Sequence, residues 1–122
     1  MKIEAKRVSI MEELLNQTCV PCGGKLPPAT ESEINRWKTQ VPEWEVVEDE
    51  SKNYLQRVFK FADFNDAIAF TQAVGEIAEQ AGHHPLLITE WGKVTVNWWT
   101  HAINGLHQND FIMAAKTDNL SN

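Results

Sequence analysis

His83, His84, His101 and His107 are the only histidines of this 122-residue chain, and all four lie within one window of 25 residues. Imidazole is the side chain whose ordinary pKa lets it give or take a proton near neutrality, and such help is worth about 10²–10⁴-fold in rate. Carboxylates that could orient these rings are close by: Glu79 precedes His83 by four residues, and Asp110 follows His101. Pro85 ends the His83-His84 pair, and Trp91, Trp98 and Trp99 share the stretch. Clustered imidazoles beside flat apolar rings point to proton transfer on a planar heterocycle.

Each of these residues also has a plainer explanation. Histidines at the end of a helix are favoured by the negative end of its dipole, although two in succession before a proline exceed what a dipole needs. An acid such as Asp110 in the first turn of a helix complements the positive end. Tryptophans on strands are usually core or interface material, so Trp98 and Trp99 are assigned there and Trp91 alone is kept as a pocket wall. Two histidines and a carboxylate also suit iron or zinc, which leaves a metal site built from His83, His101 and Asp110 as an alternative. Cys19-x-x-Cys22 has metal-like spacing, but a zinc would need two further ligands, and no second cysteine pair or suitably spaced histidine pair stands nearby. The pair precedes Gly-Gly and Pro-Pro rather than opening a helix in a βαβ setting, so it is read as loop without redox use.

Composition narrows the function classes. At 43% hydrophobic and 23% charged residues the chain is ordinary globular material, and at this length a domain buries roughly two-thirds of its unfolded surface without a disulfide or structural metal. No apolar run approaches the ~20 residues that cross a bilayer. The charged opening Met1-Lys2-Ile3-Glu4 lacks a signal-peptide pattern, and the cytoplasm is the expected location. Net charge is −6, concentrated in residues 41–122, which carry five Lys/Arg against twelve Asp/Glu. So acidic a body repels a phosphate backbone, and direct nucleic-acid binding is not expected.

The elements that must position the histidines follow from local pattern. The Cys/Gly/Pro-rich loop Cys19–Pro28 sets off an N-terminal arm, 1–29, from a domain of residues 30–122. Thr30-Glu31-Ser32-Glu33 has the form of a capping box and predicts a helix over 31–40 with Ile34, Trp37 and Val41 at helical spacing. Trp44 and Val46, then Leu55, Arg57, Phe59 and Phe61, alternate around a polar turn at Glu48–Ser51 and predict a β-hairpin. Asp63 caps a long helix whose stripe is Phe64, Ala67, Ile68, Thr71, Val74, Ile77, Ala78 and Ala81, and Gly82 stops it. Leu86–Trp91 and Lys93–His101 predict two strands about Gly92, with Val94, Val96, Trp98 and Thr100 on one face and Lys93, Thr95, Asn97, Trp99 and His101 on the other. Gly105 opens a last helix containing Leu106, Asp110, Met113, Ala114 and Lys116. The order α-ββ-α-ββ-α predicts a single α+β domain with a four-stranded antiparallel sheet and helices packed on one face.

With these residues in place, Glu79-x-x-x-His83-His84-Pro85 followed by Trp91, His101 and Asp110 resembles the signature of the pterin-4a-carbinolamine dehydratase family. Phe59-Lys60-Phe61-x-Asp63-Phe64 is similar to the segment that leads into that family's long helix. The resemblance covers residues 41–118, and the Cys19–Pro28 loop resembles the N-terminal extension of bacterial members. His107 departs from it, standing where members often carry a Ser or Thr that caps the last helix.

The resemblance implies dehydration of 4a-hydroxytetrahydropterin to quinonoid dihydropterin, the recycling step of tetrahydrobiopterin, by a lyase that needs no metal or organic cofactor. It implies a catalytic set of His83, His84, His101 and Asp110. Within it His83 and His101 form the acid/base pair, His84 orients the pterin, Asp110 holds or polarises His101, and Glu79 tunes His83. The substrate-binding positions implied are Glu79, His83, His84, Pro85, Trp91, Thr100, His101, Ala102 and Ile103. Members associate as homodimers or homotetramers, and such an assembly is expected here. Animal members also act as dimerisation cofactors of a homeodomain transcription factor, so a coactivator or protein-binding module without catalytic role is the alternative.

Overall fold

The structure, a computed structural model, describes residues 13–20 and 27–121. Its first full helix, α1 (Glu31–Lys38), starts in the expected capping box: the Thr30 hydroxyl accepts from the Glu33 amide at 3.1 Å and the Glu33 carboxylate accepts from the Thr30 amide at 2.9 Å. Strands β1 (Glu45–Glu48) and β2 (Asn53–Lys60) form the predicted hairpin. Its turn is closed by Asp49, whose Oδ1 accepts from the amides of Ser51 and Lys52. Helix α2 (Phe64–Ala81) begins where the Asp63 carboxylate accepts from the Asp66 amide at 2.8 Å. It ends at Gly82, whose φ of 66° lies in the left-handed region that glycine adopts at least cost.

The buried stripe of α2 is Ala67, Phe70, Val74 and Ala78. This is rotated from the expected stripe, because Phe70 packs on Phe59 and Phe61 of the hairpin with ring centroids 4.7 and 5.0 Å away, leaving Phe64 and Ile68 exposed. Strands β3 (Leu86–Glu90) and β4 (Lys93–Trp98) pair around Gly92, and the antiparallel sheet runs β1-β2-β4-β3. Alternation sends Val94, Val96 and Trp98 inward beside Leu55 and Phe59, while Val58, Leu86 and Ile88 remain exposed. The β4 strand ends at Trp98 rather than at the expected His101. Beyond it the chain doubles back through a turn clipped by a bridge between Thr100 and Gly105.

Helix α3 (Gln108–Leu120) is opened by His107, not by Gly105. The His107 Nδ1 accepts from the Asn109 amide at 3.2 Å, and Asp110 completes a capping box by accepting from the His107 amide at 2.9 Å. Imidazole thus performs the task of the Ser or Thr expected at this place. Most of α3 is buried, with Phe111, Met113, Ala114 and Thr117 inaccessible to solvent. The described part of the N-terminal arm packs on this helix: Leu14, in a short 3-10 turn (Leu14–Asn16), is fully buried, and Val20 exchanges two hydrogen bonds with the Asn109 side chain. Cys22 and the rest of residues 21–26 lie outside the described residues. No helix among the described residues is long and apolar enough to cross a membrane.

One polar clasp joins α3 to the sheet across the core. Asp118 Oδ1 accepts from Arg57 Nη1 of β2 at 2.7 Å and from Trp44 Nε1 at 2.8 Å. Burial pushes the Asp118 carboxyl above its ordinary value of 3.8, outweighing the Trp44 and Arg57 contacts that pull it down. The folded state therefore binds this proton more tightly than the unfolded chain. The resulting stabilisation is fully present below the unfolded pKa and is lost as pH rises through the folded one. Compared with Asp118→Asn, which does not titrate, wild type should hold a larger advantage in Tm at about pH 3 than at about pH 7. Thermal unfolding of both proteins across that range checks this, and a difference that grows with pH would show the opposite sign.

Candidate active site

Three chain segments converge at one end of the sheet. The left-handed stop at Gly82 turns the chain out of α2, and His83 follows with its amide donating to the Ala78 carbonyl at 3.2 Å. That turn aims His83 inward, where it is 6% exposed, while His84 remains outside. From the other side, β4 delivers Thr100 and His101 into the turn that the Thr100–Gly105 bridge closes. In this turn Asn104 takes the left-handed φ of 48°, and its carbonyl accepts from the Asn53 amide at the start of β2. The N-terminus of α3 supplies Asp110.

Asp110 is fully buried, and each of its carboxylate oxygens is hydrogen-bonded. Oδ1 lies 2.6 Å from His83 Nε2, and Oδ2 accepts from the Thr100 hydroxyl at 2.8 Å and from the His107 amide at 2.9 Å. A buried carboxylate without such donors would be strongly disfavoured. The family resemblance implies that Asp110 pairs with His101, but the structure pairs it with His83. The residue is inaccessible to solvent, and it reaches the cleft lining through His83 and Thr100. Glu79 is likewise partnered differently from expectation: its Oε1 lies 2.7 Å from His84 Nε2, both groups exposed, and not against His83. Helical spacing suggested the i, i+4 partner, but at the αL turn the chain leaves the helix and the fifth residue comes round instead.

The two tryptophans set aside as core material each lie flat against a histidine. Trp98 is stacked on His83 with ring centroids 5.8 Å apart and 5° between planes, and its Nε1 donates to the Thr117 hydroxyl. Trp99 is stacked on His101 at 4.6 Å and 4°. The strand period of two carried the second signal, since Trp99 and His101 fall on the same side of the chain. The first needed the fold.

Between these walls lies a cleft of about 350 Å³ lined by Gly82, His83, His84, Thr100, His101 and Ala102. This is within the roughly 300–1,000 Å³ of small-molecule sites. It brings together five of the expected positions. Pro85 is half-buried beside it, and Ile103 sits in the adjoining turn without lining it. Trp91 is not brought to the cleft. It is 72% exposed in the β3–β4 turn, at the far end of a five-residue strand about 17 Å long. Among the described residues no group of three or more His, Cys, Asp or Glu side chains is arranged to hold a metal ion. The His83, His101, Asp110 alternative has no such geometry.

With donors and acceptors on imidazoles around a cleft of this size, the arrangement can bind a flat polar molecule and move protons on it. The family described as pterin 4 alpha carbinolamine dehydratase matches residues 27–120. A Chlorobium limicola protein provisionally named a pterin-4-alpha-carbinolamine dehydratase is 54% identical over 90% of this chain and 97% of its own. One from Microcystis aeruginosa with the same provisional name is 56% identical over 90% and 95%. Among solved structures, a Brucella melitensis protein described as a transcriptional coactivator/pterin dehydratase superposes with a TM-score of 0.71 at 31% identity, covering 79% of this chain and all of that one. A pterin dehydratase-like protein described as a RuBisCO assembly factor in the alpha-carboxysome shares the fold, with a TM-score of 0.55 at 20% identity over 65% of this chain and 89% of its own. Matched along nearly its whole described body in both sequence and fold, the chain belongs to the pterin 4 alpha carbinolamine dehydratase family.

Proposed function

We propose that the protein is a lyase that dehydrates 4a-hydroxytetrahydropterin to quinonoid dihydropterin by histidine general acid/base catalysis. The observation that carries this reading is the cleft walled by His83, His84 and His101, with His83 anchored on the buried Asp110. The reaction removes hydroxide from C4a and the proton from N5. As the N5 lone pair closes the C4a–N5 double bond, the departing hydroxyl must take up a proton, or it leaves as a poor leaving group.

In this scheme the Asp110 carboxylate holds a proton of His83 on Nε2, and His83 Nδ1 accepts the N5 proton. The logic is that of a carboxylate fixing the tautomer of a catalytic imidazole. His101, which also lines the cleft, donates to the hydroxyl, and water leaves. His84, oriented by Glu79, hydrogen-bonds the pterin edge together with the backbone of the Thr100–Ala102 turn. Proton balance closes between the two histidines, and solvent returns each to its starting form. The same proposal places the protein in the cytoplasm as a homo-oligomer. The exposed apolar side chains of Leu86 and Ile88 on β3 and of Phe64 and Ile68 on α2 support the oligomer.

Two measurements test the assignment. His83→Ala and His101→Ala should each lower kcat for carbinolamine dehydration at least about tenfold, the low end of what a proton-transfer group supplies, without unfolding the protein. Wild-type turnover in both variants would remove the acid/base pair. Asp110→Asn, which keeps the shape but presents an amide to His83, should cost about 10²-fold in kcat with little change in KM, because it disturbs the tautomer and not the binding surface. Loss confined to KM would instead place Asp110 in binding.

A further inference from the structure

The three cleft histidines are oriented in three different ways, and only two involve a carboxylate. His83 has Asp110 and His84 has Glu79. Among the described residues the His101 imidazole makes no side-chain hydrogen bond, and its one ring contact is Trp99. The two rings are nearly parallel, 4° between planes with centroids 4.6 Å apart, which is the offset arrangement that aromatic rings prefer. Trp99 is itself fixed from the hairpin side: the Tyr54 ring centroid is 6.0 Å away, and Lys52 Nζ lies over the indole at 4.9 Å and over Tyr54 at 5.5 Å. Directly beside them, the Asn53 amide donates to the Asn104 carbonyl of the turn that carries His101.

We propose that Trp99, backed by Tyr54 and Lys52, is the positioning residue for His101 in the dehydration reaction. An exposed imidazole on a turn would otherwise sample several rotamers, and a misplacement of about 1 Å can cost on the order of 10²-fold in rate. The indole restricts the ring to one plane facing the cleft. It does so without occupying either ring nitrogen, so one is left for the substrate hydroxyl and the other for solvent. A carboxylate partner would favour the imidazolium over the neutral ring. An indole face accepts the neutral ring by stacking and the charged one by cation–π attraction, so it orients His101 both before and after the proton is given. A general acid that must cycle between these forms within each turnover gains from a wall of this kind.

This inference rests on the dehydratase reading, and two readouts keep the failures apart. The first does not need activity: in NMR spectra of the intact protein, the ring protons of His101 should be displaced by the indole ring current. They should move to unstacked positions in Trp99→Leu and largely return in Trp99→Phe. The second is kinetic. Trp99→Leu should lower kcat about tenfold with KM within about twofold, Trp99→Phe should recover most of the loss, and adding Trp99→Leu to His101→Ala should cause no further fall. Unchanged His101 resonances in Trp99→Leu, or an equal loss in the presence and absence of His101, would overturn the proposal. An inactive wild type that shows the resonance shift would overturn the dehydratase reading while upholding the stack.

Discussion

The buried Asp110 carboxylate is the constraint around which the cleft end of the molecule is organised. A carboxyl group with no access to water must be hydrogen-bonded, and here its partners come from three separate places: the turn after α2, the turn after β4 and the residue before α3. Meeting that requirement brings His83 and Thr100 to the same spot and starts α3 at the same time. Helix caps are worth about 1 kcal/mol, and hydrogen bonds to charged groups about 1.5–3 kcal/mol. Against a typical net stability of about 5–15 kcal/mol, the site and the fold are not energetically separable here.

Beyond Asp110 the site grades from rigid to open. His83 is held at both its edge and its face, by Asp110 and by Trp98, which is tied through Thr117 to α3. His84 and Glu79 are both largely exposed, so their pairing sets direction and contributes little to stability. Among the described residues His101 has an aromatic wall alone. The order suits the tasks we propose for the three rings, from a base whose tautomer must be fixed to an acid that must reach solvent.

Much of this was legible locally. Thr30 with Glu33, Asp63 and Gly82 mark helix ends by chemistry confined to a few neighbouring residues, and the structure places those ends within two residues of expectation. The alternation through β4 identified its buried face. The departures are equally specific. Gly105 looked like a helix start but pairs with Thr100, while His107 caps α3 through an imidazole nitrogen, a role that residue type alone does not announce. Trp91 fitted the family spacing, yet the length of β3 carries it away from the cleft.

What the sequence determined by itself was the inventory: the order of helices and strands, the cues that mark most of their ends, and the clustering of four histidines beside acids in one segment. These follow from capping, periodicity and motif spacing, all interactions of short range along the chain. Only the tertiary structure decided the partners, giving Asp110 to His83, Glu79 to His84 and an indole to each of His83 and His101. The reason is physical. A hydrogen bond or ring stack depends on angstrom-level placement, and residues distant in sequence acquire that placement only when separate elements pack on one core.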